Sequence, residues 1–247
     1  MSTHSGKIAL VTGANKGIGF ETARQLGKAG VKVLVGARDR AKADQAAAAL
    51  KAEGLDAVAL KLDITSSADI QAAAALIEAN YGRLDILVNN AGIFSEGDFG
   101  SNNSATVTQA DLRKTFDTNF FAVVELTQAL LPLIRKSPAG RIVNLSSILG
   151  SLTLHSNPTS PIASSKSLAY NASKTALNAF TIHLAAALKD TPIRVNSAHP
   201  GWVKTDMGGA GAMMEIVDGA KTSVALALAG DDSPNGAYLH LGKPLPW

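Results

Sequence analysis

The chain contains no cysteine, so neither a disulfide framework nor a thiolate metal site is open to it. Its five histidines, His4, His155, His183, His199 and His240, never fall at metal-ligand spacing, and no metal is expected. No apolar run approaches the ~20 residues of a membrane span. The start, MSTHSGK, lacks the apolar segment of a secretion signal. Blocks of charge are missing as well. The 23 Lys and Arg are scattered among 20 Asp and Glu, for a net +3, so no stripe forms for nucleic acid or a membrane surface. These absences leave a cytoplasmic protein with no nucleic-acid or membrane partner, whose ligand is a small molecule.

What is present is length and apolar content. The 247 residues, 46% of them hydrophobic, suit one domain with a sizeable core. No stretch rich in Pro, Gly or Ser divides them. KIALV is a short, nearly continuous apolar run, followed by a Gly-rich stretch and the amphipathic FETARQLGKAG, which predicts strand, turn and helix. VKVLVGA, DAVALKL, RLDILVNN, RIVNLSS and IRVNSAHP are further strands. The helical stretches between them include RAKADQAAAALKAEG, SSADIQAAAALIEANYG and TQADLRKTFDTNFFAVVELTQALLPLIRK. Strands buried on both faces and alternating with helices predict an α/β fold: a Rossmann-like, doubly wound parallel sheet of about seven strands, flanked by helices. GAYLHL is the expected last strand.

TGANKGIG, residues 12–19, stands where the first strand meets its helix. Gly13 allows a tight turn, Gly17 lets backbone approach a pyrophosphate and Gly19 lets the helix pack closely, while the helix N-terminus offers N–H groups to an anion. The spacing is GxxxGxG rather than the usual GxGxxG, and glycines alone also make plain turns. YNASK, residues 170–174, puts a phenol and an ammonium four positions apart on a helix, so Tyr170 and Lys174 project into one space. A free phenol has a pKa of ~10; a neighbouring ammonium favours the phenolate and is expected to lower that value towards the working range of a proton shuttle. At the end of the fifth strand, Ser146 and Ser147 are candidate donors to a developing alkoxide. Asn119 is an amide in an apolar helix, costly unless partnered, whether in chemistry or simply to backbone.

TGANKGIG, LVNNAG at 87–92, NLSS at 144–147, YNASK and HPGWVKT at 199–205, in that order and at those separations, resemble the short-chain dehydrogenase/reductase family in its single-domain branch, over essentially the whole chain. NKGIGFETARQL, VGARD and the stretched segment before Tyr170 are most similar to its carbonyl-reductase-like members. The resemblance implies that Tyr170 gives a proton to a carbonyl oxygen as hydride reaches carbon, and takes it back in alcohol oxidation. It implies that Lys174 also bonds the nicotinamide ribose, that Ser147, opening an SxxG pattern, holds the carbonyl oxygen, and that Asn119 holds a water linked to the lysine. For the cofactor it implies contacts from Gly13, Asn15, Lys16, Gly17, Ile18 and Gly19. Asp63 and Ile64 would meet the adenine, Asn90 would wall the adenosine ribose from beneath with Ala91 and Gly92 leaving room for the cofactor, and Val203 and Thr205 would hold the nicotinamide carboxamide.

The cofactor's identity is read from the end of the second strand. An NAD binder needs an acid there for the ribose hydroxyls, whereas a 2′-phosphate attracts guanidinium. Here Ala37 takes the acid's place, Arg38 follows, and Lys16 adds a second cation, so NADP(H) is expected. A one-residue shift of the turn would instead bring Asp39 to the ribose and select NAD. TDMGGAGAMMEIVDG, with its glycines, reads as a substrate lid at about 205–220, or as a plain connection. Trp202, Met207, Met213, Met214, Phe94, Ile148 and Leu149 predict an apolar pocket for a hydrophobic ketone or aldehyde. The segment between Ser147 and Tyr170 exceeds the family's usual length. Its His155 either reaches substrate or is solvated. The PLPW end docks on its own body or on a neighbour, and monomer and homo-oligomer both stay open. Against an NADPH-dependent carbonyl reductase stand three other readings. One is a non-catalytic NADP(H)-binding sensor, one an NAD-dependent alcohol dehydrogenase, and one an epimerase or dehydratase that recycles its cofactor.

Overall fold

Every short apolar run named above becomes a strand of one sheet. A computed structural model of the chain describes residues 4–97, 103–209 and 211–247. The first half repeats one cycle: β1 (Ile8–Thr12), α1 (Gly17–Lys28), β2 (Lys32–Ala37), α2 (Arg40–Ala52), β3 (Ala57–Lys61), α3 (Ser67–Tyr81) and β4 (Ile86–Asn89). Then come α4 (Gln109–Phe116), α5 (Ala122–Ile134), β5 (Arg141–Leu145), a short α6 (Leu152–Ser156), the long α7 (Leu168–Ala187) and β6 (Arg194–Ala198). The chain ends with α8 (Ile216–Gly219), α9 (Lys221–Leu228), β7 (Tyr238–His240) and β8 (Lys243–Pro244). The order across the sheet is β3-β2-β1-β4-β5-β6-β7-β8. Pairing is parallel from β3 to β7. The sheet has eight strands rather than about seven, because the chain turns back after β7 and adds two antiparallel residues at the edge.

Alternation along the strands sends side chains to two cores. Leu10, Leu34, Leu87, Ile142 and Val195 face Ile70 and Ile77 of α3 and Leu126 and Leu130 of α5. Ala9, Val11, Val33, Val35 and Val143 face Ala23 and Leu26 of α1, Leu50 of α2 and Leu226 of α9. Each fully buried Leu or Ile contributes about 1.5–3 kcal/mol, so both faces are firmly held. Strand order reverses between β1 and β4, and there the carboxyl ends of the strands open a crevice.

The helix expected through TQADLRKTFDTNFFAVVELTQALLPLIRK is interrupted. A π-helical turn, Asp117–Phe121, separates α4 from α5. Such turns fit one extra residue into a helix and are frequent at functional sites. The segment before Tyr170 folds as a 3-10 turn (Ile148–Gly150), α6 and a run of turns. The chain's end packs against this segment: the Trp247 ring stacks on Tyr238 at 5.3 Å, and its carbonyl accepts from the Thr153 N–H at 2.9 Å. It docks on its own body. No helix among the described residues is long and apolar enough to cross a membrane, and none of their His, Cys, Asp and Glu groupings is arranged to hold a metal ion.

Candidate active site

Tyr170 and Lys174 sit in the first turns of α7 on its inner face, both buried, beside the carboxyl ends of β4 and β5. The Tyr170 hydroxyl is hydrogen-bonded with Ser147. Ser147 begins the 3-10 turn after β5, and its hydroxyl also accepts from the Leu149 N–H at 3.3 Å. The Tyr238 hydroxyl donates to the Ser147 backbone carbonyl, and the buried Ser146 hydroxyl has no hydrogen-bond partner among the described residues, so of the two serines it is Ser147 whose side chain meets Tyr170. Lys174 Nζ donates to the Leu145 carbonyl at 2.8 Å and lies 5.6 Å from the centroid of the Tyr170 ring. A Cβ at Gly92 would stand 3.6 Å from that ammonium, so the glycine leaves the space beside it clear.

The sequence predicts a phenol made more acidic by its lysine; the structure gives the opposite. Burial pushes Tyr170 up to about 12, with only the Ser147 hydrogen bond pulling back. The ammonium is itself shut away from water and is pushed down to about 8. Desolvation disfavours both charged forms.

Asn119 is fully buried in the π-helical turn. Its Oδ1 accepts from the Ile93 N–H at 2.8 Å, and its Nδ2 donates to the Ile93 carbonyl at 2.9 Å and to Ser173 Oγ at 3.1 Å. Both amide hydrogens are therefore committed to protein acceptors, and the residue braces the loop after β4. His155 is half-buried, and its ring is held by the protein. Its Nε2 lies 3.0 Å from the Leu149 carbonyl and 3.2 Å from Asn171 Nδ2, which ties the long segment to α7. Its pKa is lowered, first by burial.

At the other end of the crevice, Gly13 and Gly17 adopt φ of 62° and 57°, the left-handed region that glycine tolerates. Helices α2, α3 and α4 are each capped by a side chain, Asp39, Ser66 and Thr108. By contrast, α1 has no side-chain cap and no acid in its first turn. Its N-terminal N–H groups are left for an anion, which is the fit a pyrophosphate requires. Asn15 and Ile18 are half-buried in the same turn. Asn90 Nδ2 donates to the Thr12 carbonyl at 2.8 Å and the Gly13 carbonyl at 3.3 Å, while the Asn90 and Ala91 N–H groups both donate to Thr12 Oγ1. That amide thus fixes the glycine turn from below. Asn89 bonds Thr127 and Asn144, bracing neighbouring strands.

Ala37 is buried and Arg38 exposed where β2 ends. Asp39 is the N-cap of α2, its carboxylate accepting from the Lys42 N–H at 3.2 Å, so this acid has a structural task of its own. Lys16 forms an ion pair with Asp206 across the crevice mouth. Asp63 closes a local turn, Oδ1 accepting from Thr65 N–H and Oγ1. The Ile64 side chain belongs to the core beside Leu62 and Ile70, so any contact it makes with a nucleotide is from its backbone.

Val203 is buried and bridges Met214, and the Lys204–Glu215 ion pair lies beside that bridge, so the two ends of the segment between them are held together. Within it Thr205 Oγ1 accepts from the Gly208 N–H at 3.1 Å, and Trp202 Nε1 donates to the Gly208 carbonyl at 2.8 Å. Of the expected apolar lining, Phe94, Ile148, Leu149 and Met214 are half-buried, whereas Trp202 and Met207 are more open and Met213 is 79% exposed.

Two residues near the reacting groups are given no role by the sequence. His199 Nδ1 accepts from the Ile148 N–H at 3.1 Å, next to Ser147, and burial pushes it down to about 3, so it serves as a neutral acceptor. Glu96 is buried and bonds the start of α7. Glu96 stands in no periodic pattern or motif that would mark it, and His199 opens HPGWVKT, a stretch whose pattern assigns that histidine no task.

A family model described as short chain dehydrogenase matches residues 7–214. Carbonyl reductase (NADPH) 1 of Mus musculus is 34% identical, over 97% of this chain and 98% of its own. The (+)-neomenthol dehydrogenase of Capsicum annuum is 32% identical, over 96% of each. Among solved structures, an NADPH-bound carbonyl reductase from chicken fatty liver superposes with a TM-score of 0.86 at 28% identity, covering 100% of this chain and 96% of that one.

Proposed function

The chain belongs to the short-chain dehydrogenase family, and from that premise we propose that it is an NADPH-dependent oxidoreductase reducing a ketone or aldehyde to an alcohol, with Tyr170 as proton donor. The observation that carries this reading is the buried Tyr170–Ser147 hydrogen bond beside the Lys174 ammonium, at the end of a crevice whose far side is an uncapped helix N-terminus. The cofactor, when bound, supplies the hydride. Gly13 and Gly17 shape the turn for its pyrophosphate, while Arg38 and Lys16 are the cations for a 2′-phosphate. With Asp39 engaged as a helix cap, the NADP(H) form is favoured over NAD.

Ser147 holds the substrate oxygen by its hydroxyl, in a place where water is excluded and a hydrogen bond to a developing alkoxide is worth most. Tyr170 then donates the phenolic proton to that oxygen. Held at about 12, the phenol is fully protonated at neutral pH, which is the form reduction needs. Lys174 offsets the charge left on the phenolate. The half-buried Phe94, Ile148, Leu149 and Met214 favour a largely apolar carbonyl compound. The test is consumption of NADPH against a panel of apolar ketones and aldehydes, with NADH run alongside. Sustained NADPH oxidation with substrate is expected. No turnover with any carbonyl would indicate a sensor, and activity without net oxidation an epimerase.

A further inference from the structure

The loop leaving β4 is fastened at three successive points. Asn119 clasps Ile93 by both its backbone groups. Ser95 Oγ lies 2.6 Å from Thr115 Oγ1 of α4. Glu96, 1% exposed, directs its carboxylate at the start of α7: Oε1 accepts from the Ala169 N–H at 3.1 Å and Oε2 from the Tyr170 N–H at 2.9 Å. Ser167, the residue in the N-cap position of that helix, supplies no side-chain cap. The first turn of the helix carrying the phenol is therefore capped from 74 residues away in sequence. The same loop reaches the phenol ring, with Phe94 and Tyr170 centroids 5.6 Å apart and tilted by 60°.

We propose that Glu96 is a positioning residue, tying the substrate-side loop to Tyr170 so that the phenol is held at its donating distance. The inference rests on Tyr170 being the proton donor. A buried carboxylate is tolerated when hydrogen-bonded, and charge-assisted bonds to backbone N–H groups at a helix N-terminus are among the stronger ones available. Two such bonds, one from each oxygen, fix the orientation of the turn as well as its place. Proton transfer is sensitive to displacements of about an ångström, so slack there appears in the chemical step before it appears in binding. Phe94, two residues before Glu96, would line the pocket, so a substrate that moves its ring also moves the cap.

Glu96→Gln keeps the volume and one acceptor but places an NH2 against a backbone N–H. Glu96→Ala removes both acceptors. With a carbonyl that the wild-type protein reduces, kcat is expected to fall about tenfold or more for Gln and further for Ala, while KM and the NADPH Kd stay within about twofold. An unchanged kcat in folded Glu96→Gln overturns the proposal, as does a loss shared equally by kcat and NADPH binding, which would mark a general structural role. Hydrogen exchange on the unaltered protein gives a second readout that does not depend on the variants folding. Segments 93–97 and 168–172 are expected to open together, and independent opening overturns the coupling. If wild-type protein reduces no carbonyl with NADPH, the functional reading fails; if it does and Glu96→Gln matches it, this inference alone fails.

Discussion

Burial moves Tyr170 and Lys174 in opposite directions, the phenol up to about 12 and the ammonium down to about 8, and both shifts favour the neutral forms. The sign decides which direction of the reaction runs easily. Carbonyl reduction draws on the protonated phenol, present at any pH below about 12, so its rate should vary little with Tyr170 ionisation between pH 6 and 8. Alcohol oxidation needs the phenolate, so its initial rate should climb with pH across the alkaline range; a flat oxidative profile would show that the proton goes elsewhere. Tyr170→Phe should lower kcat by about 10²- to 10⁴-fold, the usual worth of a positioned general acid. NADPH binding, followed by fluorescence, should be kept. At the crevice's other end, Arg38→Asp should raise NADH use relative to NADPH, since a 2′-phosphate repels a carboxylate and the ribose hydroxyls accept one. The ratio of kcat/KM for the two nucleotides measures it.

Among the elements, the start of α1 is the least forgiving. A Cβ at Gly19 would lie 2.4 Å from Asn90 Nδ2 and 2.5 Å from the Gly13 carbonyl. The amide could move only by giving up its bonds to the Thr12 and Gly13 carbonyls, and the Gly13 carbonyl is backbone. Gly19→Ala should therefore destabilise the protein by about 1–3 kcal/mol, as overpacking commonly does, and weaken NADPH binding because the same turn is displaced. Thermal unfolding and nucleotide titration report the two effects separately. The interrupted helix shows a different constraint. Asn119 reaches both backbone groups of Ile93 from a π-helical turn. Neither the apolar periodicity of FDTNFFAVVEL nor the presence of one amide announces that extra residue, because the helix pattern resumes on the far side.

Across the whole molecule, what was legible followed from local pattern. KIALV, VKVLVGA and RIVNLSS lie buried on both faces, and such runs allow little besides a central parallel strand; each is found in the sheet. Tyr170 and Lys174 share a face because a helix places residues four apart together. Glu96 and His199 escaped because their partners, the α7 amides and the Ile148 N–H, belong to segments distant in sequence. The direction of the Ile64 side chain was not legible either, because sequence position does not say which way a side chain turns; it turns into the core, which leaves the backbone of that residue to face the crevice. The burial of the phenol and ammonium is likewise a property of the assembled sheet and helices, not of the YNASK stretch.

Lys16 and Asp206 give the assembled crevice one more property. Their ion pair joins the glycine turn to the loop that follows Thr205, and both partners stand largely in water. Dissolved ions weaken such an attraction, with a screening length of about 10 Å at 0.1 M. Nucleotide departure should consequently quicken in brine, and Asp206→Asn should lessen that dependence in stopped-flow release, the remainder being the screening of Arg38 and Lys16 from the 2′-phosphate. Where departure limits the cycle, the buffer's ionic strength becomes a throttle on how often this catalyst is recharged.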